Sequence, residues 1–564
     1  MTARPLQRRS YQLMLTPEGV GPLSRPKPAV EDLEKLSPFE LKNLLIHYAR
    51  EHTENAGQKF LNAGRGNPNW IATTPREAFL LIGQFALEES KRVWDEPEPG
   101  IGGMPARVGS AERLRKFLAR LPETPGKRLL ARALDYGITE LGFDADSFAH
   151  ELADSSIGDN YPEPDRMLVH TERIVLRYLE KTMCADRPPA GKFQLFAVEG
   201  GTAAMCYTFK SLFTNGILKR GDTIALGSPI FTPYVELPLL EDFSLRTVMI
   251  QQDEIAGGRH AWQYTEDQIR KLADPSIKAF FLVNPSNPAS FAMHPATQER
   301  IVQLVRKERP DLILLTDDVY GTFSEGFRSL AADLPRNTIL VYSYSKHFGC
   351  TGWRLGVIAL HEDNVIDERI ASLPEAERER LRRRYHSLTT DPDSIRFIDR
   401  IVADSRDVAL NHTAGLSLPQ QLQMALFSLD SLLDHEDVYT RRCRAILHER
   451  FQKLMDGIGL QLPSDALRIG YYAAFDLALW GRGTFGDAFA EYVDRHHDPI
   501  DIVLALAQRY GTVLLNGSGF DGPPWSVRTS LANLNAEDYE AIGRNLKRLV
   551  EGALERFEQS RRSS

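Results

Sequence analysis

A chain of 564 residues with 42% apolar side chains has room for several packed units, and this length corresponds to roughly three to four domains. Its 76 acidic against 68 basic residues give a formal net charge of −8 and no basic footprint for nucleic acid; no apolar run reaches the roughly 18 residues of a membrane span. Small molecules or other protein chains are the expected partners, and the four scattered cysteines (Cys184, Cys206, Cys350, Cys443) form neither a CxxC pair nor a disulfide framework, which suits a reducing cytoplasm and gives no metal site.

The first 30 residues, with Pro17, Pro22, Pro26 and Pro28 and an apolar run too short for a signal peptide, read as an extended basic arm. Residues 31–160 read as the N-terminal part of a small domain. They carry the turn-rich "LNAGRGNPNW" and, within 96–150, an added helical unit in "AERLRKFLARL" and "RLLARALDYGI". The texture changes in 161–360. Seven short apolar runs ("FQLFAV", "TIALG", "LRTVMI", "AFFLVN", "LILLT", "TILVYS", "LGVIAL") alternate there with helical patterns such as "ERIVQLVRK", whose Ile301, Leu304 and Val305 share a face. The pattern predicts an α/β large domain: a seven-stranded, mostly parallel sheet with helices on both faces and ligands beyond the carboxyl ends of the strands. Residues 361–415 read as a charged helical insertion and connection. In its "EAERERLRRRY" glutamates interleave with arginines, as on a solvated face. Residues 416–564 read as a C-terminal small α+β domain closing on a helix that starts at Asn535 and turns Tyr539, Ile542 and Leu546 inward.

The chemistry is written at the strand ends. After "LFAV", Gly200-Gly201-Thr202 open a helix whose free N–H groups can hold a phosphate. After "TIALG", Phe231 can lie against a planar ligand, and after "FFLVN" the prolines of "PSNP" present the amide of Asn287. After "LILLT" come Asp317 and, three positions on, Tyr320. Taken singly, these residues are a tight turn, a packed ring, a proline-stabilised turn and a helix cap. The stretch "YSYSKHFGCTGWRLG" joins them, because it places Lys346 among Ser343, two glycines and Arg354. A lysine amine condenses with an aldehyde once deprotonated. Pyridoxal 5'-phosphate needs that lysine, a carboxylate at its ring nitrogen, a ring partner and a phosphate cup. Lys346, Asp317, Phe231 and the set Gly201, Thr202, Ser343 and Arg354 supply one of each.

"SYSKHFGCTGWRLG" resembles the active-site signature of the fold-type I aminotransferases, whose serine, lysine and arginine keep these spacings. The resemblance extends to Asn287 in "NPSNP", to Asp317 and Tyr320 in "DDVY", and to Arg528 in "SVRTSLANL", the position that grips a substrate α-carboxylate. It also extends to Tyr161 in "GDNYPEPDRML", where a tyrosine often reaches the phosphate of the neighbouring subunit. Within the family the chain is most similar to the aspartate 4-decarboxylase branch, from "LSPFELKNLL" through "NAGRGNPNWIATTPREAF", "FAVEGGTAAM" and "GSPIFTPYVELP" to "SLANL". It departs from an ordinary aminotransferase in Ala289-Ser290 after "NPSNP", where Thr-Gly is usual, and in the extra segments near 96–150 and 361–415.

The resemblance implies conversion of L-aspartate to L-alanine and carbon dioxide, with aspartate transamination as a side activity of the same site; the alternative is an enzyme that is chiefly an aspartate aminotransferase. It implies Arg528 and Asn287 at the substrate and Lys346 as the catalytic group. In the branch-specific "AGRGNP", Arg65 and Gly66 are further substrate contacts, with Arg65 a candidate to orient the β-carboxylate. It also implies a homodimer with shared active sites, with larger assemblies such as dodecamers in this branch. A regulatory module built on the same fold would normally carry a DNA-binding domain, for which 30 residues are too few.

Overall fold

The computed structural model describes Leu33, Leu36 and residues 38–94, 100–256, 259–409 and 415–563; the expected arm at 1–30 lies outside the described residues. All seven expected strands form one sheet: β1 (Phe193–Val198), β2 (Thr223–Ser228), β3 (Arg246–Gln251), β4 (Ile277–Val283), β5 (Ile313–Asp317), β6 (Thr338–Ser343) and β7 (Gly356–His361). Their order is β1-β7-β6-β5-β4-β2-β3. Only β7 runs antiparallel to its neighbours, pairing Val357 with Ala197 on one side and with Tyr342 on the other. Because side chains alternate across a strand, near-continuous apolar runs feed two cores at once. Phe281 and Val283 of β4 pack into one core with Leu226 and Leu315, whereas Phe280 and Leu282 pack into the other with Ala225 and Leu314.

The helical unit of 73–157 packs on this sheet's layer. Thr73–Arg92, Pro125–Thr139 and Ala145–Ile157 pack on one another and on Leu418–Leu433, and Ser110–Arg120 packs on the last two of them, Pro125–Thr139 and Ala145–Ile157. Their buried faces, Ile82 and Phe85, Leu114 and Phe117, share a core with Leu195, Tyr342 and Val357 of the sheet. Residues 38–62 instead join the C-terminal α+β part: helix Pro38–Ala56 packs on Asp501–Tyr510, and Leu61–Asn62 pairs in parallel with Thr512–Val513. Apolar faces separated in sequence thus complete one another's cores.

The charged insertion forms helices Val365–Ala371, Glu375–Tyr385 and Phe397–Ala409. Arg382 pairs with Glu375, Glu379 and Asp393 on its outer face, and Asp404, buried, fixes its inner face to Ser211 and to Arg384 and Tyr385. The C-terminal part holds an antiparallel sheet in which Ser526–Ser530 lies between Tyr472–Asp476 and Leu515–Asn516. Its last helix, Ala536–Ser563, buries Tyr539, Ile542 and Leu546 as expected. Among the described residues no helix is long and apolar enough to cross a membrane.

Candidate active site

A cleft opens beyond the carboxyl ends of the large sheet, and the sequence-derived set converges on it. Gly201, Thr202, Phe231, Asn287, Asp317, Tyr320, Ser343, Lys346 and Arg354 all line this cavity. Each reaches it from a strand end: Asp317 is the last residue of β5, Ser343 the last of β6, and Gly201 the first of helix Gly201–Thr214 after β1. The helix presents free backbone N–H groups and the positive end of its dipole to the cleft.

The corner beside Gly200 and Arg354 depends on one close approach. Arg354 has a left-handed backbone (φ +56°), and its Nη2 donates to the Glu199 carbonyl at 3.0 Å. Gly200, at φ +92° and ψ 175°, lies in a region open essentially to glycine alone. A Cβ there would stand 2.5 Å from Arg354 Nη2. Ser343 Oγ lies 3.0 Å from Ser345 Oγ and 3.2 Å from the Leu355 carbonyl, either of which can take its single proton, and this holds the Ser343 hydroxyl near Lys346.

Lys346 Nζ donates to the Gly66 carbonyl at 3.1 Å, and the Tyr471 hydroxyl donates to the same oxygen at 2.8 Å. A Cβ on Gly66 would lie 2.5 Å from the Tyr472 hydroxyl and 3.4 Å from Lys346 Nζ, so only glycine lets this backbone come so near the lysine. Asp317 is buried, with the Tyr234 hydroxyl at 3.4 Å and the Val319 N–H at 3.3 Å as its donors. Burial lifts its carboxyl pKa to about 6, against the opposing pull of those hydrogen bonds and of the Lys346 charge.

Arg528 stands behind this group on the strand Ser526–Ser530. Its Nη1 donates to Asn287 Oδ1 at 3.2 Å and its Nη2 to the Gly64 carbonyl at 3.1 Å. The guanidinium carbon lies 4.3 Å from the Tyr472 ring centre and 4.7 Å from that of Phe520, and the buried Nε has no hydrogen-bond partner. Burial pulls its pKa down from the ordinary arginine value, with the neighbouring phenols opposing that shift. A buried guanidinium without a carboxylate beside it has the chemistry to receive one.

Three residues enter the site that sequence reasoning passed over. Tyr472 lines the cavity and accepts a hydrogen bond from the Tyr320 hydroxyl at 3.1 Å. Burial raises its phenol pKa, but the charges of Lys346 and Arg528 and the Tyr320 hydroxyl outweigh that and leave it below the ordinary value. Tyr471 acts on Gly66, and Tyr234 on Asp317. Tyr472 could have been found only from strand pairing, since it sits two positions from Ala474, the residue paired with Arg528.

Two expected residues stand apart from the cavity. Arg65 is exposed, although its charge, together with that of Arg528, adds to burial in lowering the pKa of Lys42. Tyr161 is 80% exposed and lies outside this chain's own cavity.

The residues present fit pyridoxal 5'-phosphate. Lys346 can take its aldehyde, and Gly201, Thr202, Ser343 and Arg354 can hold its phosphate. Asp317 is a buried carboxylate whose pKa is raised by burial, and it can face and keep protonated the ring nitrogen. Phe231 and Asn287 line the same space.

Comparison with known proteins agrees with this geometry. The family model for aminotransferase class I and II matches residues 197–544. The chain is 46% identical over 525 residues to a bifunctional aspartate aminotransferase and L-aspartate beta-decarboxylase of Pseudomonas sp, covering 93% of this chain and 98% of that one. Among solved structures it resembles the N-succinyldiaminopimelate aminotransferase of Mycobacterium tuberculosis, with a TM-score of 0.54 and 17% identity over 91% of this chain and 97% of that one. It also resembles the aspartate aminotransferase of Thermus thermophilus with maleate, with a TM-score of 0.51 and 16% identity over 90% and 96%. These structural likenesses establish the pyridoxal-phosphate fold type I.

Proposed function

The chain belongs to the class I and II aminotransferase family, and from that premise we propose that it converts L-aspartate to L-alanine and carbon dioxide, with aspartate transamination at the same site. Pyridoxal 5'-phosphate is its cofactor; bound, it supplies an electron sink conjugated to the substrate nitrogen, which lets a proton leave Cα and carbon dioxide leave Cβ. One observation carries the choice of reaction: the likeness to the Pseudomonas enzyme, 46% identity, runs through 93% of this chain and 98% of that one.

The chain's own groups divide the work. Arg528 holds the α-carboxylate in two parallel hydrogen bonds and Asn287 keeps the guanidinium turned toward it. Lys346 Nζ takes the proton from Cα and returns one, and the Gly66 carbonyl holds the amine on the substrate side. Asp317 keeps a proton on the cofactor's ring nitrogen. Arg65, exposed outside the cavity, remains the candidate to orient the β-carboxylate, and since a strong salt bridge would stabilise the charge that decarboxylation must lose, its contact has to be a loose one. Tyr471, Tyr472 and the Gly64–Gly66 backbone wall the lysine and limit the water that transamination needs. Overall the substrate loses CO2 and gains one proton at Cβ, so the reaction is redox-neutral.

The active unit is a homodimer with shared sites, assembled further as in the aspartate 4-decarboxylase branch, and it works in the cytoplasm. The exposure of Tyr161 supports a role in the partner's site rather than its own. Incubation with aspartate alone, without a keto-acid acceptor, tests the reaction. Alanine and carbon dioxide should accumulate over many turnovers; formation of one equivalent of oxaloacetate per site, then arrest, would leave only an aminotransferase.

A further inference from the structure

A second cavity lies in the C-terminal part, away from Lys346 and separate in its lining from the active site. It occupies about 380 Å³ between helices Pro38–Ala56, Leu477–Phe485, Asp487–His496, Asp501–Tyr510 and Ala536–Ser563. That is within the roughly 300–1,000 Å³ that small-molecule sites span, and a gap between helices is a common place for one. Its body is apolar, built from Leu477, Phe489, Val493, Leu504, Trp525 and Ala553.

One part of the wall is cationic. His497, Arg509 and Arg556 line the same cavity. Among the described residues neither arginine has a carboxylate within ion-pair reach, whereas Arg482, Arg495 and Arg544 of the same part are paired. His497 has its Nδ1 3.9 Å from Asp501 Oδ2, while its Nε2 is buried and has no hydrogen-bond partner. Among the described lining residues Asp501 is the one acidic side chain, so they carry two unpaired guanidinium groups against a single carboxylate already facing a histidine.

We propose that this cavity binds an amphipathic carboxylate, an unbranched or aryl chain with one acid group, with the chain among Leu477, Phe489, Leu504 and Trp525 and the acid between Arg509 and Arg556. Apolar walls supply the affinity of the chain and the arginines the charge complement. The site adjoins the substrate-binding strand. Trp525 precedes Ser526–Ser530, which carries Arg528, and its carbonyl accepts from Leu477 N at 3.1 Å, the residue that follows Tyr472–Asp476. An occupant against Trp525 and Leu477 therefore presses on both strands that bring Arg528 and Tyr472 to the active site, and changes the affinity for aspartate.

Decanoate is the probe, 1-decanol the neutral control, and the full-length holoenzyme the protein, titrated by calorimetry and tryptophan fluorescence below micellar concentrations. Saturable binding of decanoate at one site per chain is expected, at least about tenfold tighter than decanol, as loss of a charge-assisted contact implies. Arg556→Gln and Arg509→Gln, both surface changes, should each weaken decanoate by roughly tenfold and leave decanol unchanged. Ala553→Trp should fill the cavity and abolish both while ligand-free aspartate turnover persists, and saturating decanoate should shift the aspartate KM of the unaltered enzyme. Absence of saturable binding, or equal affinity for decanol, overturns the proposal. So does binding that emerges only after residues 1–30 are deleted, because the chain's own N-terminal segment would then be the occupant.

Discussion

At Asp317 a carboxylate is buried with one phenol and one backbone N–H for donors, and burial raises its pKa to about 6 from 3.8. Through that interval the unfolded chain gives up a proton that the folded, cofactor-free protein keeps. Stability of the apoprotein therefore falls as pH rises through the window, by on the order of 3 kcal/mol once above it. Asp318, raised to about 7 by the same burial, has the same sign. Thermal melts of the apoprotein should show a midpoint that declines from about pH 4 to pH 8, and Asp317→Asn should make the decline shallower and raise the alkaline midpoint. The same substitution should cost the holoenzyme most of its turnover, since the charge that retains the ring proton is gone. A pH-independent midpoint in the unaltered apoprotein would contradict this account. Arg528→Ala should weaken apparent aspartate affinity by roughly a hundredfold, the scale for removing one partner of a buried charge pair, while cofactor absorbance is retained. Steady-state kinetics at fixed cofactor occupancy measures it.

The turn from β1 into helix Gly201–Thr214 is the element we propose to hold the cofactor's phosphate. Two glycines meet there, because β7 brings Gly356 so close that its added Cβ would lie 2.6 Å from the Gly200 Cα. Gly200→Ala combines a conformation closed to alanine with displacement of Arg354, so cofactor retention on dialysis should drop by tenfold or more, for a strain of about 1–3 kcal/mol. Fluorescence of the bound cofactor against dialysis time checks it, and retention equal to the unaltered enzyme would show that the corner does not hold the phosphate. The glycine pair before a helix was legible in the sequence; the reason for Gly200 was not, since it lies in a guanidinium that returns from more than a hundred residues along the chain.

On the scale of the whole molecule, the site draws on 64–66, on the ends of five large-sheet strands and on two strands of the C-terminal part. Cofactor and substrate bound across both parts should stabilise them together. At about a hundredfold over Kd the linkage is worth about 2.7 kcal/mol, which calorimetry should register as a rise of a single transition. A second transition that fails to move would show that the C-terminal part unfolds independently of the site.

The sequence alone determined the seven strands, their two-faced burial and the lysine, carboxylate, amide and arginines at their ends, because strand periodicity and motif spacing are local properties. "YSYSKHFGCTGWRLG" and "NPSNP" carry their chemistry within a few residues. Only the tertiary structure decided that 73–157 completes the core of the large sheet, that Gly66 lies against Lys346, and that Tyr471 and Tyr472 wall the site. Those relations join segments hundreds of residues apart, and their physical causes are complementary apolar faces, a backbone without a Cβ and the register of one short antiparallel pair. No periodicity in the chain encodes which distant partner each of them meets.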